Sequence, residues 1–205
     1  MRKIITTTFV TLDGVMQAPG GPEEDTSDGF KYGGWQLGGN YEDEVSSKIM
    51  NDFFTTPFEL LLGRRTYEIF AAYWPNHPEI ELVAKPFNRT KKYVVSHESM
   101  ETPWNNSVLI TEDVVAEIKK IKNLDAPDLW VWGSGNLIQT LLKNNLIDRM
   151  HIWTHPVTLG TGKKLFAEGT QPQTLKLVDS KISTMGVIFA TYEPAGELKI
   201  DSAIN

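Results

Sequence analysis

The first place where this sequence could bind an anion is a short segment of glycine, two arginines and threonine. The apolar residues 58–62 predict a buried strand, and residues 66–74 have the apolar spacing of a helix. N–H groups at a helix start lack helical partners and attract anions, and the arginines add positive charge. The threonine hydroxyl could donate to a phosphate oxygen, although an ordinary turn with solvated arginines is the alternative. The segment consists of Gly63, Arg64, Arg65 and Thr66.

A second segment has the same character. Residues 129–132 predict a strand, and a predicted helix runs from the following glycines to about residue 144. Glycine lets the backbone approach a ligand closely, but Ile138 replaces the third glycine of the G-x-G-x-x-G fingerprint, so a tight packing turn is the alternative. Two such helix starts in one α/β domain suit a dinucleotide diphosphate better than a single phosphate. This segment consists of Trp132, Gly133, Ser134, Gly135, Asn136 and Leu137.

Two further features could act on a substrate. Asp13 and Gly14 follow a predicted strand over residues 4–12, where a carboxylate could donate a proton or orient a polar substrate. An Asp-Gly turn is the alternative. The long, glycine-rich residues 17–39 are typical of a functional loop or of a flexible surface insertion, and Trp35 within them could stack on a ligand.

Other chemistries have few residues to support them. His151 and His155 are spaced along one predicted strand, but no third ligand is spaced to complete a metal site, so no metal is predicted. The chain contains no cysteine, which excludes disulfides, thiolate sites and a cysteine nucleophile. It also lacks the G-x-S-x-G turn of serine hydrolases.

The elements that must position these residues alternate between strands and helices. Such alternation predicts an α/β fold whose mainly parallel, twisted sheet is flanked by helices. Two closing strands joined around Met185 and Gly186 predict an antiparallel C-terminal pair. The predicted strands cover residues 4–12, 58–62, 92–96, 108–111, 129–132, 149–158, 174–182 and 187–192, and the predicted helices cover residues 42–54, 66–74, 112–122 and 135–144.

Length and charge limit the classes of protein. A chain of 205 residues with 40% hydrophobic residues predicts one folded domain over residues 1–205. A net charge of −6 without a basic stripe argues against nucleic acid as a partner. The sequence contains neither an apolar run of about 18 residues nor a secretion signal, so we expect no membrane partner and a cytoplasmic location.

The same segments resemble a known family. Residues 63–68 resemble the G-R-x-T-[WY]-E motif of dihydrofolate reductases, and residues 132–135 look like their triple-glycine turn. Val94, Val95 and Ser96 resemble the end of their strand that meets the adenosine 2′-phosphate. The C-terminal half is more similar to the reductase domain of bifunctional riboflavin-biosynthesis enzymes, in residues 137–142, 146–151 and 156–166. Residues 11–14 also resemble the reductase domain of the riboflavin-biosynthesis enzymes.

This resemblance implies a dihydrofolate-reductase-like fold that binds NADPH. By position, Arg64 and Ser96 would meet the 2′-phosphate, and residues 133–137 would pass under the diphosphate. The other positions carried over are Arg65 and Thr66 beside the diphosphate, Gly63 at the turn, Trp132 near the nicotinamide, and Asp13 and Gly14 on the substrate side. Asp43 or Glu44 would be the equivalent of the substrate-binding carboxylate of dihydrofolate reductases.

These observations predict an NADPH-dependent reductase of a small heterocyclic or pteridine-like substrate. Asp13 or a bound water would supply the proton, and residues 17–39 would act as a lid with Trp35 over the substrate. The alternative is an NADPH-binding regulatory or sensor module without catalysis. The riboflavin-reductase relatives also imply a homodimer.

Overall fold

A single sheet contains all eight strands of the part of the chain that the structure describes. This structure is a computed structural model, and it describes residues 1–39 and 41–200. The strands are β1 (Ile4–Thr11), β2 (Phe58–Gly63), β3 (Lys92–Val95), β4 (Ser107–Ile110), β5 (Asp128–Trp132), β6 (Arg149–His155), β7 (Leu175–Ile182) and β8 (Ile188–Pro194). Their order in the sheet is β4-β3-β2-β5-β1-β6-β8-β7.

Helices cover both faces of this sheet. Within residues 1–39 and 41–200, no helix is both long and apolar enough to cross a bilayer. The helices are α1 (Trp35–Gly38), α2 (Glu44–Phe53), α3 (Arg64–Tyr73), α4 (Glu81–Arg89), α5 (Val114–Lys122) and α6 (Gly135–Lys143). Side chains of α5 and α6 pack on one face, and side chains of α2, α3 and α4 pack on the other.

The central strand β1 divides the core into two layers. Ile4 and Val10 point towards α5 and α6, whereas Ile5 and Phe9 point to the opposite face, as the two-residue period of a strand requires. The second layer is largely aromatic. In it, the ring of Trp130 stacks on Phe58 with ring centroids 4.1 Å apart. A β1 strand buried on both faces is typical of a parallel sheet covered by helices.

Strands β1 to β6 run parallel, as the alternating pattern predicts. The carboxyl ends of these strands therefore meet at one edge of the sheet. The segments after β1, β2, β3 and β5 all leave from this edge, and these are the segments with the candidate binding residues. In open α/β sheets, ligands bind beyond this edge because the helix starts face it.

The predicted antiparallel C-terminal pair is confirmed. β8 pairs antiparallel with both β6 and β7. The turn between β7 and β8 contains Gly186 at φ +82°, a conformation that suits glycine, and the Gly186 N–H donates to the Ser183 carbonyl at 3.0 Å. β7 forms the outer edge and is mostly exposed.

Some element boundaries differ from the predicted ones. Helix α4 was absent from the prediction, although its Ala84 and Phe87 are buried, because Pro86 within it interrupts the sequence pattern of a helix. Helix α3 begins at Arg64 rather than residue 66, so both arginines lie in its first turn. The strand predicted over residues 149–158 ends at His155, where the Val157 N–H turns back to the His155 carbonyl.

Residues 17–39 are held to the body of the protein by buried polar contacts. The Gln17 side chain accepts from the Lys163 N–H at 3.0 Å and donates to two carbonyls of the loop itself. The Trp35 indole is 8% exposed and donates to the Gln17 carbonyl at 2.8 Å. It packs with Val15, Ala18 and Phe30. The Trp35 ring therefore anchors the loop to the core, and the capping of a substrate by this ring stays a prediction.

Replacing Trp35 with alanine should lower the thermal stability of the protein. Truncation of a buried tryptophan costs about 3 kcal/mol or more, and about 1 kcal/mol shifts the melting temperature of a domain of this size by roughly 2–4 °C. We therefore expect a drop of roughly 6 °C or more in a calorimetric or fluorescence melt.

Tyr32→Ala is the matched control, because Tyr32 belongs to the same loop but is 52% exposed. Its melting temperature should stay within about 2 °C of the wild-type value. A Trp35→Ala protein that melts like this control would show that Trp35 does not anchor the loop.

Candidate functional site

The two predicted anion-binding segments lie side by side. β2 and β5 are parallel neighbours, with Leu60 paired to Trp130. Each strand passes directly into a helix, so α3 begins after Gly63 and α6 begins after Ser134. Both helix starts therefore face the same edge of the sheet. The partial positive charges of the two helix dipoles add at this place.

Ser134 joins the two segments through two hydrogen bonds and makes a third within its own segment. Its hydroxyl accepts from the Gly63 N–H at 3.0 Å and donates to the Trp132 carbonyl at 3.0 Å. Its backbone N–H donates to the Thr66 hydroxyl oxygen at 3.0 Å. Because Ser134 is buried, the two helix starts have a fixed position relative to each other. The sequence marked both segments but contained no signal for this connection.

The backbone at this junction has an uncommon conformation. Gly133 has φ +54° and Ser134 has φ +57°, both in the left-handed region. A Cβ atom at Gly133 would lie 3.4 Å from the Thr66 hydroxyl oxygen. Glycine therefore lets the α6 start approach the α3 start closely. At Gly135, a Cβ atom would instead meet the Met16 sulfur at 3.3 Å, so this glycine leaves room for the segment after β1.

The N–H groups of both helix starts are open to an anion. No side chain caps either helix. Gly63 at the α3 start has no side chain to do so, and the Ser134 hydroxyl at the α6 start is directed to the neighbouring strand end instead. The Thr66 oxygen accepts from Ser134, which leaves the Thr66 hydroxyl proton available to donate. Arg65 and Asn136 are exposed beside these groups. This set of donors fits a diphosphate, whose oxygens only accept hydrogen bonds.

Arg64 is the most strongly paired cation at this edge. Its guanidinium Nε lies 2.9 Å from Glu68 and its Nη1 lies 2.8 Å from Glu98. The Glu68 hydrogen bond, followed by the Glu98 hydrogen bond, raises the pKa of Arg64 above its usual range. Ser96 is buried close by, and its hydroxyl donates to the Glu98 carbonyl and accepts from the Glu98 N–H. Sequence reasoning missed Glu98, whose position depends on the turn after β3.

Two residues of the second segment belong to the core through their side chains. The Trp132 indole is 6% exposed and packs in the aromatic layer, with its ring parallel to that of Phe54 at 6.1 Å between centroids. The Leu137 side chain is 5% exposed in the opposite layer. The placement of Trp132 near the nicotinamide and of Leu137 under the diphosphate stays a prediction. Only their backbone atoms border the helix start, because strand alternation and helix periodicity turn the side chains inwards.

Asp13 lies at the carboxyl end of β1 as an acceptor of hydrogen bonds. Its carboxylate accepts from the Thr11 hydroxyl, from the Gly160 N–H at 2.7 Å and from the Leu159 N–H at 3.3 Å. The Thr11 hydrogen bond is the largest cause that lowers the pKa of Asp13. An ionised carboxylate cannot donate a proton, so this geometry argues against Asp13 as the proton donor. Gly14, at φ +81°, forms the turn that follows.

Asp43 is also used within the fold. One oxygen caps α2 by accepting from the Ser46 N–H at 2.7 Å, and the other accepts from the Thr184 N–H at 2.6 Å. The hydroxyls of Ser46 and Thr184 donate to the same carboxylate. These bonds, led by that of the Ser46 N–H, hold the pKa of Asp43 well below its usual range. Asp43 therefore ties the α2 start to the β7–β8 turn, and a role of this carboxylate in substrate binding stays a prediction.

The two histidines of β6 lie in different surroundings. His151 hydrogen-bonds to the Thr191 hydroxyl at 2.9 Å, and burial lowers its pKa to about 4. His155 is 2% exposed and packs against Trp35 and Tyr41. In residues 1–39 and 41–200, no group of three or more histidines and carboxylates is arranged to hold a metal ion.

The fold is similar to those of three solved structures. A Shewanella sp. PV-4 protein assigned to riboflavin biosynthesis has a TM-score of 0.63 at 20% identity and covers 94% of this chain and 98% of its own. A pyrimidine reductase-like protein of Corynebacterium diphtheriae has a TM-score of 0.61 at 10% identity over 96% and 93% of the two chains. A dihydrofolate reductase of Enterococcus faecalis, solved with NADP(H), has a TM-score of 0.57 at 13% identity over 94% and 96%. The predicted dihydrofolate-reductase-like fold is thus confirmed.

Sequence comparison leads to the same family. The Bacillus subtilis protein YyaP is 29% identical over 200 residues, which cover 93% of this chain and 94% of YyaP. The Bacillus subtilis protein YwjB is 28% identical over 131 residues, which cover 64% of this chain and 71% of YwjB. The family model described as the RibD C-terminal domain matches residues 2–189. Because that match spans nearly the whole chain, the protein belongs to the RibD C-terminal domain family.

Proposed function

We propose that this protein is an NADPH-dependent reductase of a small heterocyclic substrate. The observation that carries the proposal is the pair of helix starts that Ser134 joins at the carboxyl edge of the sheet. Their open N–H groups, with Thr66 and two arginines beside them, form a donor set suited to a dinucleotide diphosphate. Support also comes from the family and from the NADP(H)-bound dihydrofolate reductase of similar fold.

Each part of the cofactor would have its own residues. The N–H groups of residues 64–66 and 135–137 would hold the diphosphate, with Arg65 and the Thr66 hydroxyl as additional donors. Arg64 would meet a 2′-phosphate beside Ser96. Bound NADPH would supply a hydride, and the protein would supply its position and its electrostatic surroundings. The proton would come from a water molecule, because Asp13 is held as a carboxylate.

The substrate would be a nitrogen heterocycle. The similar structures include a pyrimidine reductase-like protein and a dihydrofolate reductase, so a 5-amino-6-(5-phosphoribosylamino)uracil-like ring and a pterin-like ring are the two classes that we propose. Gly14 and the segment after β1 would border it. The homodimer and the cytoplasmic location stay predictions from the sequence, and light scattering of the purified protein at micromolar concentration tests the first.

A second candidate function is a dinucleotide-binding module without catalysis. One observation favours it: the carboxylates of Asp13 and Asp43 are both occupied by hydrogen bonds within the fold. Such a module would bind NADPH but would transfer no hydride to any heterocycle. The regulatory or sensor role would then depend on the bound cofactor.

One experiment separates these functions. Binding of NADPH is measured by quenching of tryptophan fluorescence, and oxidation of NADPH is then followed at 340 nm with dihydrofolate, dihydropterins and ribosylaminopyrimidines. Binding with oxidation supports the reductase, and binding without oxidation across the panel supports the module. Absence of binding at about 1 mM NADPH, a free energy of only about −4 kcal/mol, would exclude both.

Arg64 and Arg65 should differ in their effect on the two nicotinamide cofactors. Arg64→Ala should weaken NADPH about tenfold or more and leave NADH within about threefold, because only NADPH carries the 2′-phosphate. Arg65→Ala should weaken both cofactors to a similar extent, because the diphosphate is common to both. The measurement is the dissociation constant of each cofactor for each variant by calorimetry. Equal losses of NADPH and NADH in Arg64→Ala would show that Arg64 does not bind the 2′-phosphate.

Thr66→Val should weaken binding of both cofactors by about tenfold. Valine keeps the shape of threonine but removes the acceptor for the Ser134 N–H and the proton offered to an anion, at a cost of about 1–3 kcal/mol. Thr66→Ser keeps the hydroxyl and should bind nearly as the wild type does. The measurement is fluorescence titration, carried out well below the melting temperature of each variant.

Thr140→Val is the matched control for this series. Thr140 lies on α6, but its hydroxyl donates to the Asn136 carbonyl within the same helix rather than across the junction. If Thr66→Val bound both cofactors as tightly as Thr140→Val does, Thr66 would have no part in cofactor binding.

A further inference from the structure

Glu98 pairs with Arg64, a side chain that would meet the 2′ position of a dinucleotide. Its carboxylate lies 2.8 Å from the Arg64 guanidinium. The turn that carries it is fixed, because the Ser96 hydroxyl donates to the Glu98 carbonyl at 2.6 Å and accepts from the Glu98 N–H at 3.1 Å. Ser96 itself is 3% exposed. The backbone of Glu98 is thus held, while its side chain is 75% exposed and is paired with Arg64.

The charge balance at Arg64 is unusual for a phosphate-binding residue. Glu68 and Glu98 both pair with Arg64, so one positive charge faces two negative ones. A phosphate monoester carries nearly two negative charges at pH 7. Such a group could reach Arg64 only after the Glu98 carboxylate moves away, or it would bind beside that carboxylate against electrostatic repulsion.

The ribose of NADH, which has a 2′-hydroxyl in place of the phosphate, would not be repelled by the Glu98 carboxylate. Its 2′-hydroxyl can donate a hydrogen bond to a carboxylate, which is how many NAD-binding α/β proteins recognise this hydroxyl. The Glu98 carboxylate stands at the end of β3, next to the strand whose helix start carries Arg64. The same pair of residues therefore offers a cation to NADPH and an acceptor to NADH.

We propose that Glu98 is a specificity-determining residue, which competes with the 2′-phosphate for Arg64 and shifts the cofactor preference of this protein from NADPH towards NADH. This inference rests on the proposed function, since it concerns the same dinucleotide site. NADPH still binds, because the exposed Glu98 side chain can turn away. Its advantage over NADH is smaller than Arg64 alone would give.

The test is Glu98→Gln, which keeps the size of the side chain and removes its charge. We expect NADPH to bind about tenfold more tightly (about 1.4 kcal/mol) and NADH to change by less than about threefold, or to weaken. Dissociation constants are measured by calorimetry, which needs no substrate. The fragments adenosine 2′,5′-bisphosphate and AMP, titrated in the same way, show whether the change arises at the 2′ position.

Glu101→Gln is the matched control. Glu101 is exposed three residues further along and makes no ion pair within residues 1–39 and 41–200. Glu101→Gln changes the net charge of the protein by the same amount as Glu98→Gln. If both variants gained NADPH affinity equally, the gain would come from net charge rather than from the position of Glu98, and the inference would be overturned. In an Arg64→Ala background, Glu98→Gln should change NADPH binding by less than about threefold.

The outcomes distinguish this inference from the proposed function. If the wild type binds both cofactors but Glu98→Gln leaves the ratio of their dissociation constants unchanged, the inference fails and the dinucleotide site stands. If the wild type binds neither cofactor, the proposed function fails and the inference fails with it. A melting temperature of Glu98→Gln within about 2 °C of the wild type shows that altered binding does not come from altered folding.

Discussion

The hydrogen bonds of Ser134 are the interaction on which the rest of the candidate site depends. A buried hydroxyl and a buried N–H link the end of β5 to the end of β2 and to the first turn of α3. Because the serine is used for this connection, it does not cap α6, and the N–H groups of that helix start stay open. The left-handed backbone at Gly133 is the conformation that makes the approach of the two helix starts sterically feasible.

The carboxylates near this edge have structural tasks. Asp13 ties the end of β1 to Leu159 and Gly160, and Asp43 ties the start of α2 to the β7–β8 turn. Each accepts hydrogen bonds from backbone N–H groups. The pKa of Asp13 is lowered mainly by the Thr11 hydroxyl, and the pKa of Asp43 is lowered mainly by the Ser46 N–H. A carboxyl group whose ionised form is stabilised by such hydrogen bonds carries no proton to donate at neutral pH. In the proposed reductase, water would therefore supply the proton.

The two sides of the site differ in how firmly they are held. The region proposed to hold the diphosphate rests on strand ends and helix starts between two packed core layers, including the aromatic layer around Trp130 and Trp132. The region proposed to hold the 2′ position depends on Arg64 and Glu98, whose side chains are 46% and 75% exposed. Substitution of these exposed charges would leave the core intact, since exposed ion pairs contribute little to stability.

Much of this architecture could be predicted from the sequence, because its signals are local. The apolar strands and amphipathic helices fix the α/β class, and the glycines at residues 63 and 133 mark the strand-to-helix turns. The sequence could not reveal that β2 and β5 are neighbours or that Ser134 bridges them, because strand order depends on packing between distant segments.

The tertiary structure alone also decided the roles of Trp35 and Asp43 within the fold. A tryptophan in a glycine-rich loop and an aspartate at a helix start carry the same local pattern whether they face a ligand or the core. The fold brings the Gln17 carbonyl to the Trp35 indole and the Thr184 N–H to the Asp43 carboxylate, and these hydrogen bonds fix both side chains within the protein.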